Sequence, residues 1–258
     1  MHTFRTGRLR TLTLTTATLA VGLVFPVAPA FADDISEEAA PATIAAVSPA
    51  SGTVAGGAVV TITGSAFTGA TTVAFGQASA VKFDVVSDST ITAITPALAA
   101  GTYALSVTTA AGTTTAATLT VRTFEDEVLR LVNAARAHKR KCGGKTYKAV
   151  KPLRSDATLD AVAAAHSADM AKKDYFSHRS RSGASPFARM KAAGYSYRYA
   201  GENIAAGFRT PASVVTAWLK SSGHCRNIMS SKYTELGVGY ATGGYYGTYW
   251  TQDFGRPR

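Results

Sequence analysis

Between residues 42 and 121, apolar side chains alternate with small polar ones. The pairs and triplets are Val60 and Ile62; Val73 and Phe75; Val81, Phe83 and Val85; Tyr103, Leu105 and Val107; and Leu119 and Val121. A period of two gives each strand one buried face. Glycines such as Gly64, Gly76, Gly101 and Gly112 stand between the runs, where turns need freedom in φ. The pattern predicts about seven short strands at the spacing of an all-β sandwich.

From Phe124 the period becomes helical. Phe124, Val128, Leu131, Val132 and Ala135 recur at three- and four-residue steps behind the acidic first turn Glu125-Asp126-Glu127, predicting a helix to about Lys139. A second helix starts after Ser155-Asp156 and carries Leu159, Val162, Ala163, His166 and Met170 on one stripe. Ser185-Pro186 and Thr210-Pro211 each read as an N-cap followed by proline at the first helical position, with Gly194 and Gly223 as the respective stops. The last of these helices buries Val214, Val215, Trp218 and Leu219. Alternation returns after Glu235, where Gly243-Gly244 joins strands at 235–242 and 245–254 as a hairpin. The chain therefore divides at Arg122-Thr123 into two domains: an all-β sandwich over 42–122, then an α+β layered block over 124–256.

The first 32 residues have a different logic. An apolar run from Leu12 to Ala32 follows Arg5, Arg8 and Arg10 and closes on Ala30-Phe31-Ala32 before Asp33-Asp34, which reads as a secretory signal peptide over 1–32. The expected mature chain begins at Asp33 with an acidic leader over 33–41. No second apolar run long enough for a transmembrane anchor follows, no cysteine sits at the cleavage point, and the C-terminal residues carry no sorting tail. The expected location is secreted or extracellular, including association with the cell wall. Export sets an oxidising environment, so Cys142 and Cys225, the two cysteines of the chain, are expected to form a disulfide.

Charge separates the halves further. Residues 33–123 hold six acids against Lys82 and Arg122, a net of −4, and residues 124–258 carry +12; with the three signal-peptide arginines these give the chain's total of +11. With 46% apolar and 17% charged residues the chain is globular and not a disordered polyelectrolyte. A basic block outside the cell meets an anionic wall polymer or lipid. Aromatic and basic residues are not interleaved as in nucleic-acid binders, so nucleic acid is not an expected partner.

Two resemblances are visible. The run Ser48-Pro49-Ala50-Ser51-Gly52, followed by Gly56-Gly57, Val60-Thr61-Ile62, Gly64, Phe67, Val73, Phe75-Gly76 and Thr95-Pro96, resembles the IPT/TIG immunoglobulin-like domain. The resemblance implies an Ig-like sandwich serving as a spacer or an adhesion module. Ala165 to Met170, Tyr175-Phe176-Ser177-His178, Ala200-Gly201-Glu202-Asn203-Ile204, Trp218, Gly223-His224, Asn227-Ile228-Met229 and Tyr233 to Gly239 resemble the CAP superfamily of cysteine-rich secretory, antigen 5 and pathogenesis-related proteins, in its short bacterial SCP-like form. That resemblance implies an α-β-α sandwich with a central cleft, and no single reaction.

The residues with chemistry to offer are His178, Glu202, His224 and Glu235, which fall in glycine- or aromatic-flanked loops and element ends. Neutral imidazoles and carboxylates together can hold a zinc ion with an open water position. Their spacing lacks the local geometry of a metal-binding helix. The CAP resemblance supports His178, Glu202 and His224 as members of a cleft and as a possible zinc set, with Glu202 the candidate base. It does not extend to Glu235, because the fourth family position falls near Ser221. His166, on an apolar stripe, is expected to be a hydrogen-bonded core residue, and His138, among Arg136, Lys139, Arg140 and Lys141, a solvated one. Ser177, Ser221 and Ser222 lack a Gly-x-Ser-x-Gly elbow and read as helix-end residues. At least half of the tyrosines at 195–199 and 240–249 are expected in sheet packing. The leading expectation is a binding module for a lipid, glycan or peptide in a His/Glu cleft. A metal-dependent hydrolase and adhesion through the first domain are the alternatives.

Overall fold

The computed structural model describes residues 40–258. The expected signal peptide and nearly all of the acidic leader lie outside the described residues.

The first domain is built from β1 (Thr43–Ser48), β2 (Ser51–Thr53), β3 (Val59–Ser65), β4 (Thr72–Phe75), β5 (Ala78–Ser79), β6 (Lys82–Ser87), β7 (Thr90–Ile94), β8 (Gly101–Thr109) and β9 (Gly112–Arg122). They form two sheets, β1-β3-β7-β6 and β2-β9-β8-β4-β5. The strand number exceeds the sequence expectation because β2 and β5 are too short to show a period. Val60, Ile62, Val73, Phe75, Leu105, Val107, Leu119 and Val121 fill the space between the sheets as their alternation predicts. The 81–85 run departs from it. Val85 is exposed on β6, an edge strand pairing only with β7 and shifting register between Val85 and Ser87, and Val81, just before the strand, is exposed as well.

Strand β9 passes into helix α1 (Phe124–Arg136) through Thr123 alone, whose side chain accepts from the Asp126 N–H as the N-cap. Arg122 and Glu127 pair across this joint at 3.8 Å. The helix stops at Arg136, three residues short of the expected end. Residues 138–141 add no apolar position to its stripe, and the chain instead makes the hairpin β10 (Arg140–Cys142) and β11 (Lys145–Tyr147).

The rest of the second domain follows as β12 (Arg154–Ser155), α2 (Ala157–Lys172), α3 (Pro186–Ala192), β13 (Tyr197–Ala206), α4 (Pro211–Lys220), α5 (Ser222–Ile228), β14 (Glu235–Gly243) and β15 (Gly247–Pro257). The N-caps Asp156, Ser185 and Thr210 each accept the backbone N–H three residues on, as their sequence positions predict. Gly223 does not stop α4. That helix ends at Ser221, and Gly223 lies inside α5, a separate short helix.

The central sheet runs β12-β14-β15-β13, with β15 antiparallel to both neighbours. Helix α2 covers one face. A methyl group at Gly237 would come within 2.0 Å of the Leu159 carbonyl carbon, and one at Gly239 within 2.2 Å of that of Ala163, so these glycines let the α2 backbone settle on β14. Ser167 Oγ then donates to Gly239 O, and the Val238 N–H donates to Asp160 Oδ1. On the opposite face, Val128 and Val132 of α1, Val214, Val215 and Trp218 of α4, and Ile228 of α5 pack on Leu236, Val238, Trp250 and Phe254. The result is the α-β-α layering that the resemblance implies.

Candidate functional site

Strand β13 is an edge strand, yet its outward carbonyls are not left bare. Tyr233 Oη donates to Ala200 O, Asn227 Nδ2 to Glu202 O and Trp218 Nε1 to Ile204 O. Three side chains from α4, α5 and the loop after it therefore close alternate positions of the edge, which blocks pairing with another strand and fixes the backbone of Glu202. Asn203, on the other face of the strand, donates to His224 O and Gln252 Oε1 and accepts from Asn227. This network accounts physically for the Gly-Glu-Asn and His-x-x-Asn segments noted in the sequence.

Glu202 lies in the middle of β13, not in a loop, and its side chain is only 2% exposed. Its carboxylate is divided between two donors: Oε1 accepts from His178 Nδ1 at 2.6 Å, and Oε2 accepts from the Arg189 guanidinium. Arg189, on α3, also donates to His178 O and Ala184 O, tying the 178–184 loop to the helix. With Nδ1 committed to the carboxylate, His178 leaves its Nε2 for a ligand, and its side chain is half exposed.

Directly across the sheet from Glu202 stands Asp253 of β15. It is fully buried, and neither carboxylate oxygen has a donor among the described residues. Burial first, and the negative charge of Glu202 second, push its pKa well above the ordinary 3.8. A proton on Asp253 resolves the geometry, because the carboxyl O–H then donates to Glu202. His166, on the α2 stripe, is buried as expected and hydrogen-bonds Ser177 O through Nε2, while its Nδ1 has no partner. Burial, then the positive charge of Arg189, lower its pKa.

His224 sits on α5, whose position is held by the disulfide from Cys225 to Cys142, 83 residues apart. Burial chiefly, and the charge of His178 next, lower the pKa of His224, which keeps it neutral over a wider pH range. Its ring lines the end of a groove of about 370 Å3, walled by Phe176, Ile204, Phe208, Trp218 and Tyr246, with Ala217 and Ser221 on the α4 side. Phe176 and Tyr246 meet edge to face at its rim and are 44% and 48% exposed.

The structure thus brings His178 and Glu202 into contact, with His224 beside them. It does not bring Glu235. That carboxylate, at the head of β14, accepts from Tyr195 Oη at 2.5 Å and serves the packing between α3 and the sheet. Nor do the residues fit the zinc set considered from sequence. Both Glu202 oxygens are engaged by protein donors, and among the described residues no three His, Cys, Asp or Glu side chains converge to hold a metal ion. Arg189 and Asp253 were not singled out from sequence. Asp253 carried a readable signal, since it is a lone acid inside the otherwise buried run Tyr249 to Phe254. His138 is exposed, and Tyr195 and Tyr249 are core residues, as expected.

Residues 129–254 match the family model described as "Cysteine-rich secretory protein family" (CAP), and residues 42–121 match that of the IPT/TIG domain. The protein YkwD of Bacillus subtilis (strain 168) is 44% identical over 142 residues, which cover 55% of this chain and 51% of that protein. The membrane protein YlbC of the same organism is 33% identical over 132 residues, 51% of this chain and 34% of its own length. Among solved structures, an extracellular protein containing an SCP domain from Bacillus anthracis str. Ames is 30% identical with a TM-score of 0.44, covering 52% of this chain and 40% of that one. The chain spans about half the length of one of these curated relatives and about a third of the other. No helix among the described residues is long and apolar enough to cross a membrane.

Proposed function

The chain belongs to the cysteine-rich secretory (CAP) family, with an IPT/TIG domain ahead of the CAP domain, and from that premise we propose that it works outside the cell as a binding module for an amphiphile of the lipid class. The carrying observation is the groove beside His224. Its walls are aromatic and aliphatic, and its polar end is an imidazole that burial keeps neutral, next to the carboxylate-held imidazole of His178. An acyl chain buries its apolar surface against Phe208, Trp218 and Ile204, and the head group exchanges hydrogen bonds with the two imidazoles. The apolar lining favours an acyl chain over a sugar, which needs more polar partners. The single-residue joint at Thr123 supports a spacer role for the first domain, because it couples the two without a flexible linker.

Calorimetric titration with monomeric decanoate tests this reading. Saturable one-to-one binding is expected for the native protein. Ala217→Trp, which fills the groove from α4, should abolish it, and His224→Ala should weaken it. Equal binding by Ala217→Trp and the native protein would reject the groove as the site.

A further inference from the structure

The second domain's excess of positive charge is not evenly neutralised. Helix α5 has two sides: His224 faces the groove, and Arg226 faces a separate cavity of about 520 Å3 between the β10–β11 hairpin and the segment 226–233. The Cys142–Cys225 disulfide pins that hairpin to α5 and so fixes the width of the cavity. Lys145, Lys148, Arg226 and Lys232 line it, with the rings of Tyr147 and Tyr233, and no aspartate or glutamate is among the lining residues. None of the four cations forms an ion pair among the described residues.

A fifth cation lies beneath the wall. Arg136 is 1% exposed, and its guanidinium is satisfied entirely by backbone carbonyls: Lys151 O at 2.7 and 2.9 Å, Ile228 O at 2.6 Å, Ser230 O at 3.0 Å and Tyr233 O at 3.5 Å. Those carbonyls belong to, or adjoin, the segments that wall the cavity. Burial pushes its pKa down to about 10, so it remains charged at neutral pH. An ion buried without a counterion is costly, and here five N–H bonds to carbonyls offset that cost while the net charge remains. The buried charge acts through a medium of low polarisability, so its field on the adjoining cavity is poorly screened compared with that of a surface lysine.

We propose that this cavity is an anion site that takes a phosphate ester carried on a polyol or sugar. Arg226 can fork onto two phosphate oxygens, the lysines supply point charges, and Arg136 supplies the fixed field behind them. The volume exceeds that of a bare phosphate, and the two tyrosine rings flank the remaining space as stacking surfaces for the carrier. The site is separate from the groove beside His224 and stands independently of the function proposed for it.

Calorimetric titration of the oxidised protein at low salt with sn-glycerol 3-phosphate, and flotation with phosphatidylglycerol vesicles, test the proposal. Two double variants that lose the same charge are compared: Lys145→Ala with Lys232→Ala in the cavity, and Lys172→Ala with Lys191→Ala outside it. The cavity pair should lower affinity for glycerol phosphate by at least about tenfold, as loss of charged hydrogen-bond donors does, and the outside pair should leave it within about twofold. Loss confined to the vesicle arm identifies the phosphate as a lipid headgroup, and loss in the soluble arm identifies a free or polymer-borne ester; either supports the site. Equal losses from the two pairs would show a general surface field and overturn it, as would the absence of saturable binding in both arms.

Discussion

Replacing Arg189 by methionine should destabilise the second domain far more than loss of an ordinary surface ion pair. Glu202 is 2% exposed at its side chain and Arg189 13%, so this is a buried pair in which the guanidinium neutralises Glu202, with the protonated Asp253 facing that carboxylate across the sheet. Removing one member of such a pair leaves an uncompensated buried charge, at a cost of about 3–5 kcal/mol. Loss of the bonds to His178 O and Ala184 O places this variant toward the upper end. The chain's two tryptophans, Trp218 and Trp250, both lie in the second domain's core, so urea unfolding followed by tryptophan fluorescence reports this domain alone. With a slope of about 2 kcal/mol per M, the midpoint should fall by about 1.5–2.5 M. Glu202→Gln should also destabilise, and the double variant should cost less than the sum of the singles by about 1–3 kcal/mol, because each single change strands the other partner. The pH dependence has a definite sign. The guanidinium holds the raised Asp253 pKa down, so without it the folded Asp253 binds its proton more tightly, stability rises more steeply as pH falls, and the deficit of Arg189→Met should narrow between pH 7.5 and pH 4.5. A loss under about 1 kcal/mol, or strictly additive costs, would refute the reasoning by showing that the pair behaves as a solvated one.

Other expectations follow from the same geometry. Asp253→Asn mimics the protonated acid and should stabilise the domain at pH 7.5, with the gain shrinking as pH falls toward the ordinary 3.8, where the unfolded carboxyl takes up its proton as well; a loss of stability at pH 7.5 would show that Asp253 is an ionised structural carboxylate. Gly237→Ala or Gly239→Ala should lower stability by about 1–3 kcal/mol or more, because the added methyl meets α2 backbone and not a movable side chain; unfolding midpoints are the check. His166 and His224 have lowered folded-state pKa values, so the unfolded chain takes up protons first as pH drops below the ordinary 6.5 and stability falls with it. His224→Gln should flatten that part of the stability–pH curve, which denaturation at pH 7 and pH 5.5 would measure. Reducing Cys142–Cys225 should cost roughly 4–5 kcal/mol in the loop-entropy account and disorder the β10–β11 hairpin first, as amide exchange would show.

Helices α2, α3 and α4 were legible because local chemistry announces them: a capping side chain, proline at the first position in two of the three, and an apolar stripe. Strand β13 was not, although it carries Glu202. Its residues 201 to 205 are all buried, Glu202 and Asn203 among them, so no period of two appears in the letters. Helix α5 was hidden by Gly223, which reads as a stop but is accommodated in a helix pinned by Cys225. His178, Glu202 and His224 could be named from sequence by resemblance. Glu235 was misplaced because its partner, Tyr195, is set by packing between α3 and the sheet. The burial of Arg136 has no local sign, since the four carbonyl-bearing residues that bury it lie 15 to 97 positions further along the chain. Such long-range satisfaction leaves no trace in local pattern.

The central claim is that the groove beside His224 is the binding site, and amide and indole chemical-shift mapping during titration with decanoate tests it most directly. The account expects shifts concentrated at Ile204 to Phe208, Ala217, the Trp218 indole N–H and His224, with the Tyr147–Lys148 segment and the first domain unmoved. Shifts concentrated elsewhere, or a spectrum unchanged at saturating decanoate, would contradict it.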